Sequence, residues 1–240
     1  MFDSPSLSAN QLLMALPPGE YQRLIPYLKP VSLVLGQTIY EPKQLIKEVY
    51  FPTGAMISLV SIMEDGSSTE IGLVGNEGMI GIPVFLGGNH NTINRAIVQI
   101  QGNAMKMDAD VLRREFEKGE QLQKKLLLYT QARLTQMSQI AACKSHHVIE
   151  ERLARWLLSV HDCVNMPELP LTQKFISEML GVRRASVTEA AISLQKAGLI
   201  KYSRGNITLL KRKELEQAAC ECYRLIRDEF KYLLNENRDS

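Results

Sequence analysis

The stretch LTQKFISEMLGVRRASVTEAAISLQKAGLI, residues 171–200, contains two short helical patterns separated by a glycine and a pair of arginines. The first pattern starts after Thr172, whose hydroxyl can cap a helix by accepting a hydrogen bond from an unpaired backbone N–H. It stops at Gly181, because glycine readily adopts the left-handed conformation that ends many helices. Apolar residues then return at helical spacing, at Val187, Ala190, Ala191 and Leu194. The stretch therefore predicts two helices joined by a tight turn.

The second predicted helix, at about residues 183–196, exposes a basic first turn and a polar face. The residues on that side are Arg183, Arg184, Ser186, Thr188 and Glu189. Residues at the start of a recognition helix reach base edges in the major groove, where the planar fork of arginine can bond two acceptors of guanine. We therefore predict that this face contacts DNA. A structural hairpin with solvated arginines is the alternative that the pattern leaves open.

The residues on either side of this helix extend the same prediction. Thr172, Gln173 and Lys174 start the first helix, where they are candidates for phosphate contacts that set the register on DNA. The sequence AGLIKYSRGNITLL, residues 197–210, predicts a two-stranded hairpin with SRGN at its tip, and Lys201 and Arg204 within reach of phosphates. Helix, turn, helix and basic hairpin together predict a winged helix-turn-helix.

The composition of the chain excludes several classes of protein. The 240 residues are 45% hydrophobic and 22% charged with a formal net charge of +2. Because the chain as a whole is not strongly basic, a surface that binds nucleic acid would have to be a local cluster of basic residues. The start of the chain lacks a secretory pattern, no apolar run is long enough to span a bilayer, and the four cysteines are scattered. We expect a cytoplasmic protein with no membrane partner. No phosphate loop, nucleophile elbow or pair of metal ligands is present, so we expect no enzymatic activity.

The sequence of the N-terminal half predicts mostly short strands. Apolar, β-rich runs separated by Gly, Pro, Asn and Asp occur at residues 31–40, 48–63, 68–75 and 94–107. Glu64-Asp65-Gly66 is a good hairpin turn between two of them, because glycine takes a positive φ without steric penalty. Strands that recur this closely predict an antiparallel roll, and with the helices that follow they give an α+β fold.

A long helical pattern without proline follows the strands. Its apolar residues fall at alternating gaps of three and four, the seam spacing of a coiled coil, at Leu127, Thr130, Leu134, Met137 and Ala141. This predicts a dimerisation helix, although a core helix within one domain would also be apolar on one face. We therefore divide the chain into a β-roll at residues 1–115, a linking and dimerisation helix at 116–145, and a winged helix-turn-helix with a C-terminal helix at 146–240.

In this order of parts the chain resembles the cyclic-AMP receptor protein/Fnr (Crp/Fnr) family of bacterial transcription regulators. The most specific match is residues 171–200, and LGQTIYEP, VYFPTGAMISLVS and VGNEGMIGIPVFLGG in the roll look like the family's motifs. The resemblance implies a homodimer that reads a two-fold-symmetric site in double-stranded DNA and contacts RNA polymerase. The family's base-reading positions hold Arg184, Ala185 and Glu189, which implies that Arg184 contacts guanine. Glu189 could accept from cytosine or pair with a neighbouring arginine instead.

The nucleotide-binding motif of the family is altered in this chain. Relatives that bind cyclic AMP carry Gly-Glu where this chain has Gly81-Ile82, and Arg-Ser where the arginine is displaced by one residue to Arg95. Ile82 cannot accept a hydrogen bond, and a shift of one residue in a strand reverses the facing. We therefore expect no cyclic nucleotide, keep Gly81 and Arg95 as the candidate residues for an unidentified effector, and regard a solvated or ion-paired Arg95 as the simpler interpretation.

Other cofactors find little support in the sequence. No cysteine precedes Cys143, which disfavours the N-terminal iron–sulfur cluster of oxygen-sensing relatives, and His90 is a single loop histidine. Cys220 and Cys222 fall in a predicted C-terminal helix, where alternate positions face different ways, so we interpret them as small core residues. We expect no metal and no cofactor. The remaining alternative function is a ligand-binding or scaffold protein whose helix-turn-helix contacts proteins, although the exposed arginine pair argues against it.

Overall fold

The computed structural model describes residues 10–87, 91–164 and 166–235. The strands are β1 Lys29–Leu33, β2 Thr38–Tyr40, β3 Glu48–Pro52, β4 Met56–Ile62, β5 Ser68–Val74, β6 Arg95–Ile100, β7 Gly102–Asp108, β8 Glu168–Pro170, β9 Ile200–Ser203 and β10 Asn206–Leu209. The helices are α1 Gln11–Met14, α2 Pro18–Leu24, α3 Ala109–Phe116, α4 Gln121–His146, α5 Ile149–Val164, α6 Gln173–Leu180, α7 Arg184–Lys196, α8 Arg212–Ala218 and α9 Cys222–Asn235.

The first seven strands form two antiparallel sheets that enclose an apolar core. Their orders are β1-β7-β3 and β2-β6-β4-β5, with Val49, Phe51, Ala96 and Val98 fully buried between them. The β4–β5 hairpin turns at the predicted position, where Gly66 has a φ of 80° and the Asp65 carboxylate accepts from the backbone N–H of Ser67 at 2.9 Å. The prediction of an antiparallel roll followed by helices, an α+β fold, is confirmed.

The long helix α4 covers the roll with one face and leaves the other exposed. Tyr129 is fully buried, and its hydroxyl donates to the carbonyl of Met79 at 3.0 Å. On the opposite side Leu127 and Leu134 are 46% and 61% exposed. A helix that is apolar on both faces but covered on only one has a second surface available for a partner.

The C-terminal segment is two helices, where the sequence favoured one. Helix α8 ends at Ala218 and α9 begins at Cys222, so Cys220 lies between them rather than on a helix face. Helix α9 packs along α4, with the rings of Phe230 and Tyr129 in an edge contact at 6.1 Å between centroids. The cysteines are buried as expected, but their placement follows from the break between the helices.

The roll and the C-terminal half share one apolar core. Met56, Leu73 and Ile100 of the roll pack in the same cluster as Trp156 of α5 and Met179 of α6. The strands that supply them are therefore covered on both faces, by the interior of the roll on one side and by helices on the other. None of the helices among the described residues is long and apolar enough to cross a membrane.

Candidate nucleic-acid interface

Helices α6 and α7 are joined by a turn of three residues, and local interactions fix both ends of that turn. The Thr172 hydroxyl accepts from the backbone N–H of Phe175 at 3.2 Å and caps α6. Gly181 has a φ of 64° and the N–H of Val182 returns to the carbonyl of Ser177 at 3.0 Å, which closes the helix. The cap and the glycine turn predicted from the sequence are both present.

The two faces of α7 differ in exposure. Its inner face is buried through Val187, Ala190, Ala191 and Leu194, all four of the residues expected there. Arg183 and Arg184 at the start of the helix are exposed, Glu189 is exposed, and Ser186 and Thr188 are half-buried. In the part of the chain that the structure describes, no ion pair joins Glu189 to either arginine. The arginine pair is therefore available to a ligand in solution.

The predicted phosphate-contacting residues lie beside this helix start. The Gln173 side chain is oriented by Thr188, whose hydroxyl lies 3.0 Å from its Oε1. Lys174 is 79% exposed and only a long 3.9 Å ion pair links it to Glu178. Because such an exposed pair is worth little, Lys174 can exchange it for a phosphate.

The wing is a three-stranded sheet whose tip carries a basic side chain. Strand β10 pairs with both β9 and β8, and Arg204 and Gly205 occupy the turn with φ values of 51° and 82°. Two consecutive positive φ values define a type I′ turn, which matches the twist of a tight hairpin. Lys201 and Arg204 are exposed, as the sequence predicts for this hairpin.

Buried polar contacts that the sequence did not reveal hold this unit in place. The Arg152 guanidinium of α5 donates to the carbonyl of Leu180 at 2.6 Å, at the end of α6, where helix carbonyls lack partners. The Tyr202 hydroxyl donates to the carbonyl of Leu171 at 2.9 Å and ties the wing to the start of α6. The sequence of α5 gave no signal of this role for Arg152, because its partner is set by the packing of the helices.

A second set of contacts joins the helix-turn-helix to the β4–β5 hairpin. The Trp156 indole N–H of α5 donates to the Glu70 carboxylate at 3.0 Å, and the Ser58 hydroxyl donates to the same carboxylate at 2.7 Å. Burial raises the pKa of Glu70, while these two hydrogen bonds oppose the shift. The Lys144 ammonium at the end of α4 donates to the hydroxyl of Thr69 at 3.1 Å.

Gly81 and Arg95, the two candidate residues for an effector, belong to the roll and not to the helix-turn-helix. Gly81 has a φ of 117°, and a Cβ there would lie 2.6 Å from a Val49 methyl carbon, so the backbone requires glycine. Arg95 lies at the start of β6, where its Nε donates to the Glu41 carboxylate at 2.8 Å. Arg95 is thus ion-paired, as the simpler interpretation of the sequence has it. The loop histidine His90 lies outside the described residues.

A cavity of about 800 Å³ lies where the roll meets the long helix and the C-terminal helices. It is lined from the roll by Leu73 and Glu77, from α4 by Lys125 and Gln136, and from α8 by Arg212. The side-chain oxygen of Gln136 is buried and has no hydrogen-bond partner among the described residues. The cavity could not be predicted from the sequence, since it is formed by elements far apart in the chain.

Comparisons with known proteins agree with this architecture. Residues 151–218 match the model of the Crp-like helix-turn-helix domain. No protein among those with curated descriptions matches the chain.

Several solved structures share this fold over most of the chain. FixK2 from Bradyrhizobium japonicum is 17% identical with a TM-score of 0.69, and the match covers 80% of this chain and 98% of FixK2. A CRP/FNR family regulator from Thermus thermophilus is 20% identical with a TM-score of 0.62, covering 80% and 98%. The c-di-GMP-responsive regulator CLP of Xanthomonas campestris is 13% identical with a TM-score of 0.62, covering 80% and 99%. The chain thus carries a Crp-like helix-turn-helix domain within the fold that these solved regulators share.

Proposed function

We propose that the protein is a sequence-specific DNA-binding transcription regulator that acts as a homodimer and inserts α7 into the major groove. The observation that carries the proposal is the arginine pair at the start of α7, exposed while the opposite face of the helix is buried in the core. A protein-binding helix would expose an apolar patch at this place, and the scaffold alternative therefore has less support.

The charges around the arginine pair fit a DNA backbone. Lys174 at the start of α6 and Lys201 and Arg204 on the wing are all exposed cations that flank α7. In a DNA complex they would contact phosphates while Arg184 reads a guanine, Arg183, Ser186, Thr188 and Glu189 supply further contacts, and Thr172 and Gln173 set the register.

The proposal can be tested by capturing genomic DNA with the full-length protein and searching the fragments for a shared motif. We expect a two-fold-symmetric motif and a binding constant that falls steeply with salt concentration, because each neutralised phosphate releases counterions. The double variant Arg183→Ala, Arg184→Ala should lose the motif. Arg114→Ala, which removes an exposed arginine on α3, is the matched control and should retain it. Loss of binding in the control, or binding that is insensitive to salt, would contradict the proposal.

The exposed face of α4 supports the homodimer. Leu127, Leu134 and Ala141 are exposed at coiled-coil spacing on a helix whose other face packs on the roll. Two copies joined along this seam would present two α7 helices to the two halves of a symmetric site. In this proposal the dimer activates or represses transcription by binding beside RNA polymerase.

We further propose that an effector controls the dimer from the cavity between the roll and α4. The unpartnered oxygen of Gln136 and the charged groups of Glu77 and Lys125 line a space that touches both halves of the molecule. A ligand bound there would favour one arrangement of the helices over another, which is a population shift. We expect no binding of cyclic AMP or cyclic GMP by isothermal titration, because Ile82 offers no acceptor for the ribose hydroxyls. Micromolar binding of either nucleotide would contradict this expectation.

A further inference from the structure

Three cysteines and a histidine from distant parts of the chain meet at the end of α4. Cys143 lies in the last turn of α4, His147 in the link to α5, and Cys220 and Cys222 at the break between α8 and α9. Their three sulfur atoms and one imidazole nitrogen all lie within 4.8 Å of one another. The cysteines are buried and the histidine is half-buried.

We propose that these four side chains bind one divalent metal ion of the zinc type in a tetrahedral Cys₃His site. Thiolate and imidazole are the preferred zinc ligands in proteins, and a set of four protein ligands without an open position is characteristic of structural zinc. The same donors favour zinc over magnesium or calcium, which select oxygen ligands.

The separations between the ligand atoms fit a single metal ion. Bonds of about 2.3 Å to sulfur and about 2.1 Å to nitrogen at tetrahedral angles place two sulfurs about 3.8 Å apart and a sulfur and nitrogen about 3.6 Å apart. The Sγ atoms of Cys143 and Cys220 are 3.5 Å apart, and Sγ of Cys222 is 3.6 Å from Nδ1 of His147. A disulfide would need about 2.05 Å between sulfurs. An iron–sulfur cluster, whose cysteines bind different iron atoms, would hold them farther apart.

Neighbouring side chains contact two of the four proposed ligands, His147 and Cys222. Nε2 of His147 lies 3.1 Å from the Glu221 carboxylate, which orients the ring and leaves Nδ1 free to bind a metal. The side-chain amide of Gln139 donates to Sγ of Cys222 at 3.2 Å. A carboxylate behind a histidine and a donor to a thiolate are the outer contacts expected around a zinc site.

Positive charge close to the cluster offsets the negative charge of three thiolates. Arg155 is buried and its Nε has no hydrogen-bond partner in the described residues, and its charge stabilises thiolates at Cys143 and Cys220. A buried cation at this place suits a site whose ligands are anionic when a metal ion is bound.

The position of the site suggests its role. A metal ion there would fasten the α8–α9 break to the end of the long helix and to the link that leads into the helix-turn-helix. Because the ligands are gathered only in the folded chain, the binding free energy of the metal adds to the free energy of unfolding. This inference does not depend on DNA binding.

The test measures metal content and coordination in the full-length protein, purified under reducing conditions. We expect stoichiometric zinc by elemental analysis, and after exchange with cobalt(II) the strong visible bands and thiolate charge-transfer absorption of a tetrahedral site. Cys222→Ser should lose both signals. Cys163→Ser, at the one cysteine outside the cluster, is the matched control and should keep them.

A second variant tests the site without removing a ligand. Glu221 is 57% exposed, so Glu221→Gln should fold normally and lower zinc affinity about 10–100-fold in a chelator competition. Three results would overturn the proposal: reduced, folded protein that takes up neither zinc nor cobalt, an iron–sulfur chromophore with acid-labile sulfide, or equal metal loss in Cys163→Ser. Equal zinc affinity in Glu221→Gln and the wild type would overturn the role assigned to Glu221 in orienting His147.

Discussion

Arg184 and Lys174 carry exposed charges of the same sign at places that predict different effects on DNA binding. Arg184 begins α7, whereas Lys174 lies in the first turn of α6. Arg184→Ala should cost roughly 1–3 kcal/mol of specific binding and relax one base position, because the contact proposed for Arg184 is to a base. Lys174→Ala should weaken the binding of all DNA sequences about equally, and it should reduce the slope of log binding constant against log salt concentration by about 1. Titrations of the captured site and its single-base variants would measure both effects.

The two variants serve as controls for each other. If both changes left specific affinity unaltered, α7 would not be the recognition helix. If both relaxed the same base position, the division between base and phosphate contacts would be wrong.

At this scale, local signals could be predicted and distant partners could not. Thr172 and Gly181 act on backbone groups within a few residues, so the sequence alone revealed the cap and the turn. The ion pair of Arg95 was foreseen as a type of contact, but its partner Glu41 lies 54 residues away. The role of Arg152 at the end of α6 was missed for the same reason.

The wing provides a prediction at the scale of one element. Gly205 has a φ of 82°, in the left-handed region that a β-branched residue disfavours. Gly205→Val should lower the free energy of unfolding by about 1–2 kcal/mol, measured by urea denaturation. Ser203→Val, at an exposed position of β9, is the control and should be close to neutral, because β-branched residues suit strands. Equal destabilisation in the two variants would argue against a type I′ turn.

The exposed seam of α4 provides a second prediction. Leu134→Glu should convert a dimer to a monomer in light scattering, because it places charges opposite each other along the seam. Leu35→Glu is the matched control, since Leu35 is 66% exposed in the turn between β1 and β2 and Leu134 is 61% exposed. A wild-type monomer, or an unchanged mass in Leu134→Glu, would exclude this seam as the interface.

The break between α8 and α9 shows what helical spacing alone misses. Residues 219–221 contain neither glycine nor proline, and the apolar spacing continues through them, so one helix was the natural prediction. In the structure Cys220 and Cys222 pack together with Cys143 in a small cluster of their own. The chain leaves the helix to reach that cluster, and tertiary packing overrides local propensity.

At the scale of the whole molecule, the contact between roll and helices was not predictable from the strands. Residues 56–60 of β4 are all buried. A short and mostly apolar run such as this one indicates a strand covered on both faces, but it does not indicate which elements cover it. The structure shows the roll interior on one side and α5 and α6 on the other. Periodicity predicted most of the elements, apart from the break between α8 and α9, and long-range packing decided how the two halves meet.

Glu70 at this contact makes stability depend on pH. Its pKa is raised by burial, so the stability linked to its protonated form is fully present below the ordinary value of 4.5 and is lost as the pH rises through the raised pKa. Glu70→Gln should therefore show a smaller fall in the free energy of unfolding above about pH 4.5, measured by denaturant titrations at several pH values. Glu64→Gln, an exposed change in the neighbouring turn, should follow the wild-type slope. Identical slopes in all three proteins would contradict the assignment.

The apolar cluster that the roll shares with α5 and α6 also affects how proteins of this fold can be recombined. Grafting residues 146–240 onto another roll would leave Trp156 and Met179 facing foreign strands in place of Met56, Leu73 and Ile100. A hybrid of this kind would fold poorly, or in the proposed function would bind DNA without control by an effector, unless the outer surface of β4, β5 and β6 were transferred with it. The helix-turn-helix half should therefore be transferred together with the strands that support it, because a cut between the two halves would pass through a hydrophobic interior.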